Sequence, residues 1–170
     1  HDTEETIISK STSLIQNEND APTGDVVLSA YSGAGITEDQ TLSVSFDDLK
    51  DADGLGTISI QWQSHDASGI WANIFGATSK IITLGDNEVG NSLRAVVSYV
   101  DGQGASEQVA SASTVPVANV NDVPLGLPVV EGTVSENATI KANTSGITDK
   151  DGIPDLDNGA FKIDPFSYQW

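Results

Sequence analysis

The chain has 170 residues, with 25 Asp and Glu against 7 Lys and Arg and a formal charge of −18. With no basic stripe to neutralise phosphates, that balance argues against nucleic acid and anionic membrane surfaces as partners. There is no cysteine, which excludes disulfides and thiol chemistry, and no apolar run approaches the roughly 20 residues of a membrane-crossing helix.

Self-repulsion on this scale disfavours a compact state unless cations sit among the carboxylates. The acids gather in loops rather than spreading evenly. That favours metal binding over the plainer alternatives of solubility or a saline habitat. An extracellular protein without disulfides needs another staple, and calcium is the common one. No signal-peptide pattern opens the sequence, so export is expected to be encoded elsewhere.

Residues 1–18 carry one alternating run, Thr6-Ile7-Ile8-Ser9, then Ser- and Thr-rich sequence with Leu14 and Ile15. They are expected to be a linker or the tail strand of a preceding repeat, frayed or paired with an edge. Asn19-Asp20-Ala21-Pro22 follows, and residues 26–31 read as a first strand. In residues 41–46, Leu42, Val44 and Phe46 share a face at period two, and the acidic run Asp47-Asp48-Leu49-Lys50-Asp51-Ala52-Asp53-Gly54 comes next. Ile58, Ile60 and Trp62 then point one way, with Ser59, Gln61 and Gln63 opposite. Short strands are predicted over 71–75 and 79–84, a turn over 85–90, and a long strand over 92–100 ending at Asp101-Gly102-Gln103-Gly104. Residues 107–120 close the unit with Val109, Val115, Val117 and Val120. About seven short strands punctuated by Gly, Asn and Asp, with no sustained helical period, predict an all-β sandwich.

The opening then recurs. Asn121-Asp122-Val123-Pro124 stands 102 residues after Asn19-Asp20-Ala21-Pro22, the length of one β-sandwich module of about 100 residues. Val134-Ser135-Glu136-Asn137 stands for Ile36-Thr37-Glu38-Asp39, Asp149-Lys150-Asp151-Gly152 for Asp51-Ala52-Asp53-Gly54, and Phe166 to Trp170 for the strand of Trp62. Trp62 and Trp170 are 108 apart, so extra residues are expected in and around the second acidic loop. The expected organisation is a tail at 1–18, one complete repeat at 19–120, and the N-terminal part of a second at 121–170. An incomplete sandwich exposes its apolar face, so residues 121–170 must pack on the first repeat, pair with another chain, or belong to a longer protein. The third is expected, with some local packing.

In a sandwich, Asn19, Asp20, Asp51, Asp53 and Asp101 fall at one end. Glu38, Asp86 and Glu88 fall at the other, facing Asn121, Asp122, Asp149 and Asp151 of the next unit. Calcium takes six to eight hard oxygens, and the second group can supply them as a site between units. The first group is then a half site that lacks its preceding repeat. Asp149, Asp151, Asp155 and Asp157 alternate around Gly152 as in an EF-hand-like loop, although Asn158 stands where that loop needs Glu. Against metal, Asp-Gly is also a good turn former, and Glu38-Asp39 and Asp86-Asn87 read equally as polar turns. Trp62 reads as core and Tyr99 as a structural tyrosine. Trp71 and Phe75 either cover an edge or offer a platform for a sugar ring. His1 and His65 are isolated and no serine has a partnered base, so no enzyme is expected.

The combination of Asn-Asp-Ala-Pro-Thr-Gly at 19–24, Ile-Thr-Glu-Asp-Gln-Thr-Leu at 36–42, Lys-Asp-Ala-Asp-Gly-Leu-Gly-Thr-Ile-Ser-Ile-Gln-Trp-Gln at 50–63 and Val-Ser-Tyr-Val-Asp-Gly-Gln-Gly at 97–104 resembles the tandem immunoglobulin-like or cadherin-like repeats of very large secreted bacterial proteins. These include adhesins of the repeats-in-toxin type. The resemblance implies a Greek-key sandwich and a calcium-stiffened extender or adhesive module at the cell surface. It implies neighbouring repeats as partners, with a cell-surface protein or glycan beyond them. The trailing acids resemble a cadherin junction, with two departures: the linker is Asn119-Val120-Asn121-Asp122, and the penultimate turn is Asp86-Asn87-Glu88. The alternative implied is a carbohydrate-binding accessory module of a secreted polysaccharide-degrading enzyme, with Trp71 and Phe75 as its platform.

Overall fold

A computed structural model describes residues 4–30 and 35–153. The chain is all-β. Strands β1 (Val27–Ala30), β2 (Thr41–Ser45) and β5 (Ile81–Thr83) form one antiparallel sheet in the order β1-β2-β5. A second has the order β4-β3-β6-β7, from β3 (Ser59–His65), β4 (Ala72–Asn73), β6 (Ser92–Val100) and β7 (Ser106–Ala110). A short 3-10 turn, Asp86–Glu88, precedes β6. The predicted strand over 71–75 shrinks to two residues.

Alternation explains how the two sheets close over one core. Leu42 and Val44 of β2 face Trp62 of β3 and Leu93, Ala95, Val97 and Tyr99 of β6, and all seven are buried in one cluster. Full burial of a large side chain such as Trp62 or Leu93 stabilises by about 1.5–3 kcal/mol. The Trp62 indole N–H, which must be satisfied once buried, donates to the Ser79 carbonyl at 2.9 Å. The inward parity of Leu93, Ala95, Val97 and Tyr99 continues past the end of β6 to Asp101, which is why that carboxylate is buried.

The leading end is drawn together by backbone. Thr23 and Lys50 exchange amide hydrogen bonds at 2.8 Å, and the Gly102 amide donates to the Asp53 carbonyl at 3.0 Å. Gly24 sits at φ +93, where a Cβ would lie 2.1 Å from the Asp48 carbonyl oxygen. Only glycine tolerates both conditions.

The second unit repeats this joint. Leu125 and Thr148 pair as Thr23 and Lys50 do, and Gly126 sits at φ +94 with a Cβ position 2.0 Å from the Gly146 carbonyl oxygen. β8 (Val129–Glu131) and β9 (Lys141–Asn143) form a two-stranded sheet. The two non-glycine residues with positive φ among those described are Asp39 and Asn137, matched turn residues of the two units. They are 98 apart, against 102 for Gly24 and Gly126. The second unit is therefore four residues shorter before that turn, and the surplus that separates Trp62 from Trp170 lies after Asp151. Val129, Val130, Leu125 and Leu127 are exposed. Residues 4–18 form no strand, and Ile7, Ile8, Leu14 and Ile15 stand in solvent. No described helix is long and apolar enough to cross a membrane.

Two candidate metal centres

Two acidic clusters form, one at each end of the first unit. At the leading end, carboxylate oxygens of Asp51, Asp53 and Asp101 lie within 4.8 Å of one another. The Asp51-Ala52-Asp53-Gly54 turn presents two of them, with the Asp53 amide donating to Asp51 Oδ1 at 2.8 Å. Asp53 Oδ2 accepts the Asp20 amide at 2.8 Å, so Asp20 serves the cluster through its backbone. Asn19 donates to Glu107 instead. Asp101 is 6% exposed. Its Oδ1 accepts the amides of Gln103 and Ala105, both at 2.8 Å, while its Oδ2 is buried without a partner.

The Tyr99 hydroxyl donates to Asp51 Oδ2 at 2.6 Å. Burial, then the hydrogen bond to Asp51 and the charges of Asp51, Glu107 and Asp101, push its pKa far upward. It remains a neutral donor that fixes the orientation of Asp51. The parity of β6, which carries Tyr99 inward beside Asp101, was the sequence signal for this contact.

At the trailing end, oxygens of Glu38, Asp86 and Asp122 lie within 4.8 Å of one another. Glu38 is 2% exposed. One of its oxygens accepts the Val120 amide, and the other is buried with no partner. The Val120 amide lowers the Glu38 pKa, but burial and the charges of Asp86 and Asp122 together outweigh it, leaving the carboxyl above its ordinary value. Asp122 is anchored by its own backbone, whose amide donates to Asp151 Oδ2 at 2.6 Å, and Asp149 Oδ1 accepts the Asp151 amide at 3.0 Å. Lys150 pairs with Asp122 Oδ1 at 3.4 Å, a contact that raises the Lys150 pKa.

Of the seven side chains expected to share the trailing site, the structure brings three together. Asp149 and Asp151 brace the loop behind Asp122. Glu88 turns back to accept the Gly85 amide at 2.9 Å, closing the 3-10 turn, and Asn121 bonds the Asp122 carbonyl. Asp155 and Asp157 lie outside the described residues, as does Trp170.

The geometry suits a divalent cation. The carboxylate oxygens of each trio are close enough together to share one divalent cation. Each trio also includes a residue with one buried, unpartnered carboxylate oxygen, Asp101 Oδ2 and Glu38 Oε2, which is costly unless something positive meets it.

Trp71 is not an open platform. The Arg94 guanidinium lies 4.3 Å from its ring centroid, and His65 packs edge-on at 4.2 Å. Phe75 is fully exposed on a tight turn. Compared with known proteins, the chain matches no family model and no curated protein.

Proposed function

We propose that this chain is a calcium-stiffened extender or adhesive module of a large secreted or surface-displayed protein, built from immunoglobulin-like or cadherin-like Greek-key repeats. One observation carries the reading: Glu38 and Asp86 lie together with Asp122 of the linker, and Glu38 holds a buried carboxylate oxygen with no partner. Calcium supplies the missing countercharge. The chain supplies the joint, because Asp122 belongs to the linker and is tied through Asp151 to the second unit. Cation binding there fixes the angle between units and turns a charged string into a rod. Residues 4–20 support the tandem reading, since they match 106–122 at the same offset of 102: Ser9 with Ser111, Thr12 with Thr114, Ile15 with Val117, and Asn19-Asp20 with Asn121-Asp122. In the first unit Ser111 and Thr114 cap amides of β6 and Val117 is buried, the roles a closing strand needs.

Extracellular calcium modules bind with Kd of about 0.1–1 mM, and calcium at a hundredfold excess over Kd stabilises by about 2.7 kcal/mol per site. Melting in calcium, magnesium and chelator, with small-angle scattering in parallel, tests the reading. Calcium should raise Tm and lengthen the particle, and Glu38→Gln with Asp122→Asn should remove the lengthening. Identical melting in calcium and chelator overturns the proposal.

A further inference from the structure

The outer face of the four-stranded sheet carries a groove of about 330 Å³ that neither metal centre uses. Register builds it. With Trp62 turned to the core, Gln61 and Gln63 of β3 face outward. They stand opposite Val96 and Arg94 of β6, and Val96 stands opposite Ala110 of β7. The short side chains of Val96 and Ala110 therefore make a floor. Ser98 and Gln108, paired across β6 and β7, form one wall, and Gln63, Arg94 and Asn73 form the other. The volume lies at the small end of the range of about 300–1,000 Å³ for small-molecule sites.

Arg94 is the only arginine of the chain. Among 25 acids it makes no ion pair within the described residues. It is held in place all the same: its Nε donates to Gln63 Oε1 at 2.8 Å, Gln63 Nε2 donates to Asn73 Oδ1 at 2.9 Å, and its guanidinium carbon lies over the Trp71 ring, 4.3 Å from the centroid. Its two terminal nitrogens have no hydrogen-bond partner among the described residues. A planar fork fixed in this way is the group that recognises a carboxylate bidentately. The surrounding amides and the Ser98 hydroxyl offer the mixed donors and acceptors that match vicinal hydroxyls, and the Val96–Ala110 floor matches the apolar face of a pyranose ring.

We propose that this groove binds a carboxylated sugar unit of an extracellular polysaccharide. Its carboxylate would lie on Arg94, its hydroxyls on Gln63, Asn73 and Gln108, and its ring on Val96 and Ala110. The site is independent of calcium, and the Trp71 ring supports the arginine rather than the sugar.

NMR titration of the whole chain tests this, in excess chelator so that calcium cannot bridge protein and polyuronate. The probes are galacturonate and glucuronate-containing hexasaccharides, neutral cellohexaose, and an Asp/Glu hexapeptide. The acidic sugars should shift resonances of Gln63, Arg94, Val96, Gln108 and Ala110. Arg94→Gln should weaken them by about ten- to a hundredfold. Ala110→Phe fills the floor from an exposed position without touching Arg94, and should abolish binding at unchanged Tm. The proposal is overturned if no acidic sugar perturbs these residues at millimolar concentration, if cellohexaose or the peptide binds as well, or if shifts fall elsewhere on the surface. It is equally overturned if binding survives both variants.

Discussion

Asp101→Asn separates the electrostatic role of the leading cluster from its role as a cation site, because the two roles predict opposite signs. The substituted amide keeps one oxygen to accept the Gln103 and Ala105 amides. It places an N–H donor where the partnerless Oδ2 stood, in the cluster with Asp51 and Asp53. Two like charges at the 4.8 Å limit within which these oxygens lie repel by about 0.9 kcal/mol in water and about 3.5 kcal/mol at an effective dielectric of about 20. The substitution removes two such pairs. Asp51 and Asp53 are half exposed and salt screens over about 8 Å, so the relief is about 2 kcal/mol in total. For a domain of this size that is a rise in Tm of about 8–16 °C in chelator. In saturating calcium the order reverses: the variant has lost a charged ligand, so its calcium-induced rise should be about half that of the wild type, carried by the trailing site alone. Differential scanning calorimetry of both proteins in both buffers reads the crossover. A variant that melts below the wild type in chelator, or that responds to calcium to the same extent, refutes this account.

Two further substitutions test the fold and the trailing cluster. In chelator the raised Glu38 pKa means that the folded state holds the proton more tightly than the unfolded state. This contribution is present below the ordinary carboxylate pKa and lost as pH rises through the raised value. Glu38→Gln should therefore gain in Tm over the wild type as pH rises from about 4 to 7, the depressed pKa of Asp66 cancelling between the two proteins, and a difference flat with pH would contradict it. Gly24→Ala, which drives a Cβ to 2.1 Å from the Asp48 carbonyl oxygen, should cost more than about 2 kcal/mol in urea unfolding. Gly69→Ala, at φ +72 with open space around it, should cost only about 1 kcal/mol, and equal costs would show that the close approach is unimportant.

Much of the fold is legible in the sequence because alternation is strict where the core needs it. Ile60 and Trp62 on β3, with Ile58 just before it, and Leu93, Ala95, Val97 and Tyr99 on β6 mark the core face, and the same parity carries Asp101 inward, although the apolar Val96 sits on the opposite face. Grouping the acids by end of the sandwich recovers both trios. What alternation does not resolve is local competition for a side chain. Glu88 sits three residues past Gly85, where it closes its own turn, and Asp149 and Asp151 spend their oxygens on nearby amides. Contacts that depend on cross-strand register are equally hidden. Arg94 reaches Gln63 and Trp71 only because β3 and β6 pair with Gln63 opposite Arg94, a relation invisible in either strand alone.

The four-residue difference between the units bears on how the joint is transmitted. It falls between Gly126 and Asn137, before the acids that matter, so the spacing from the positive-φ turn residue to the acidic loop is the same in both units: Asp39 to Asp51, and Asn137 to Asp149, are each 12 residues. Glu136 precedes Asn137 as Glu38 precedes Asp39. Asp122 is tied to Asp151 as Asp20 is tied to Asp53, so each unit presents a receiving half at its start. Each also carries a glutamate immediately before its positive-φ turn residue. Glu38 is buried because Val120 and Asp122 close over it, whereas Glu136 is exposed. The burial of Glu38 therefore goes with the hydrogen bond from Val120, and its raised pKa with that burial and the approach of Asp122, contacts that Glu136 lacks among the described residues.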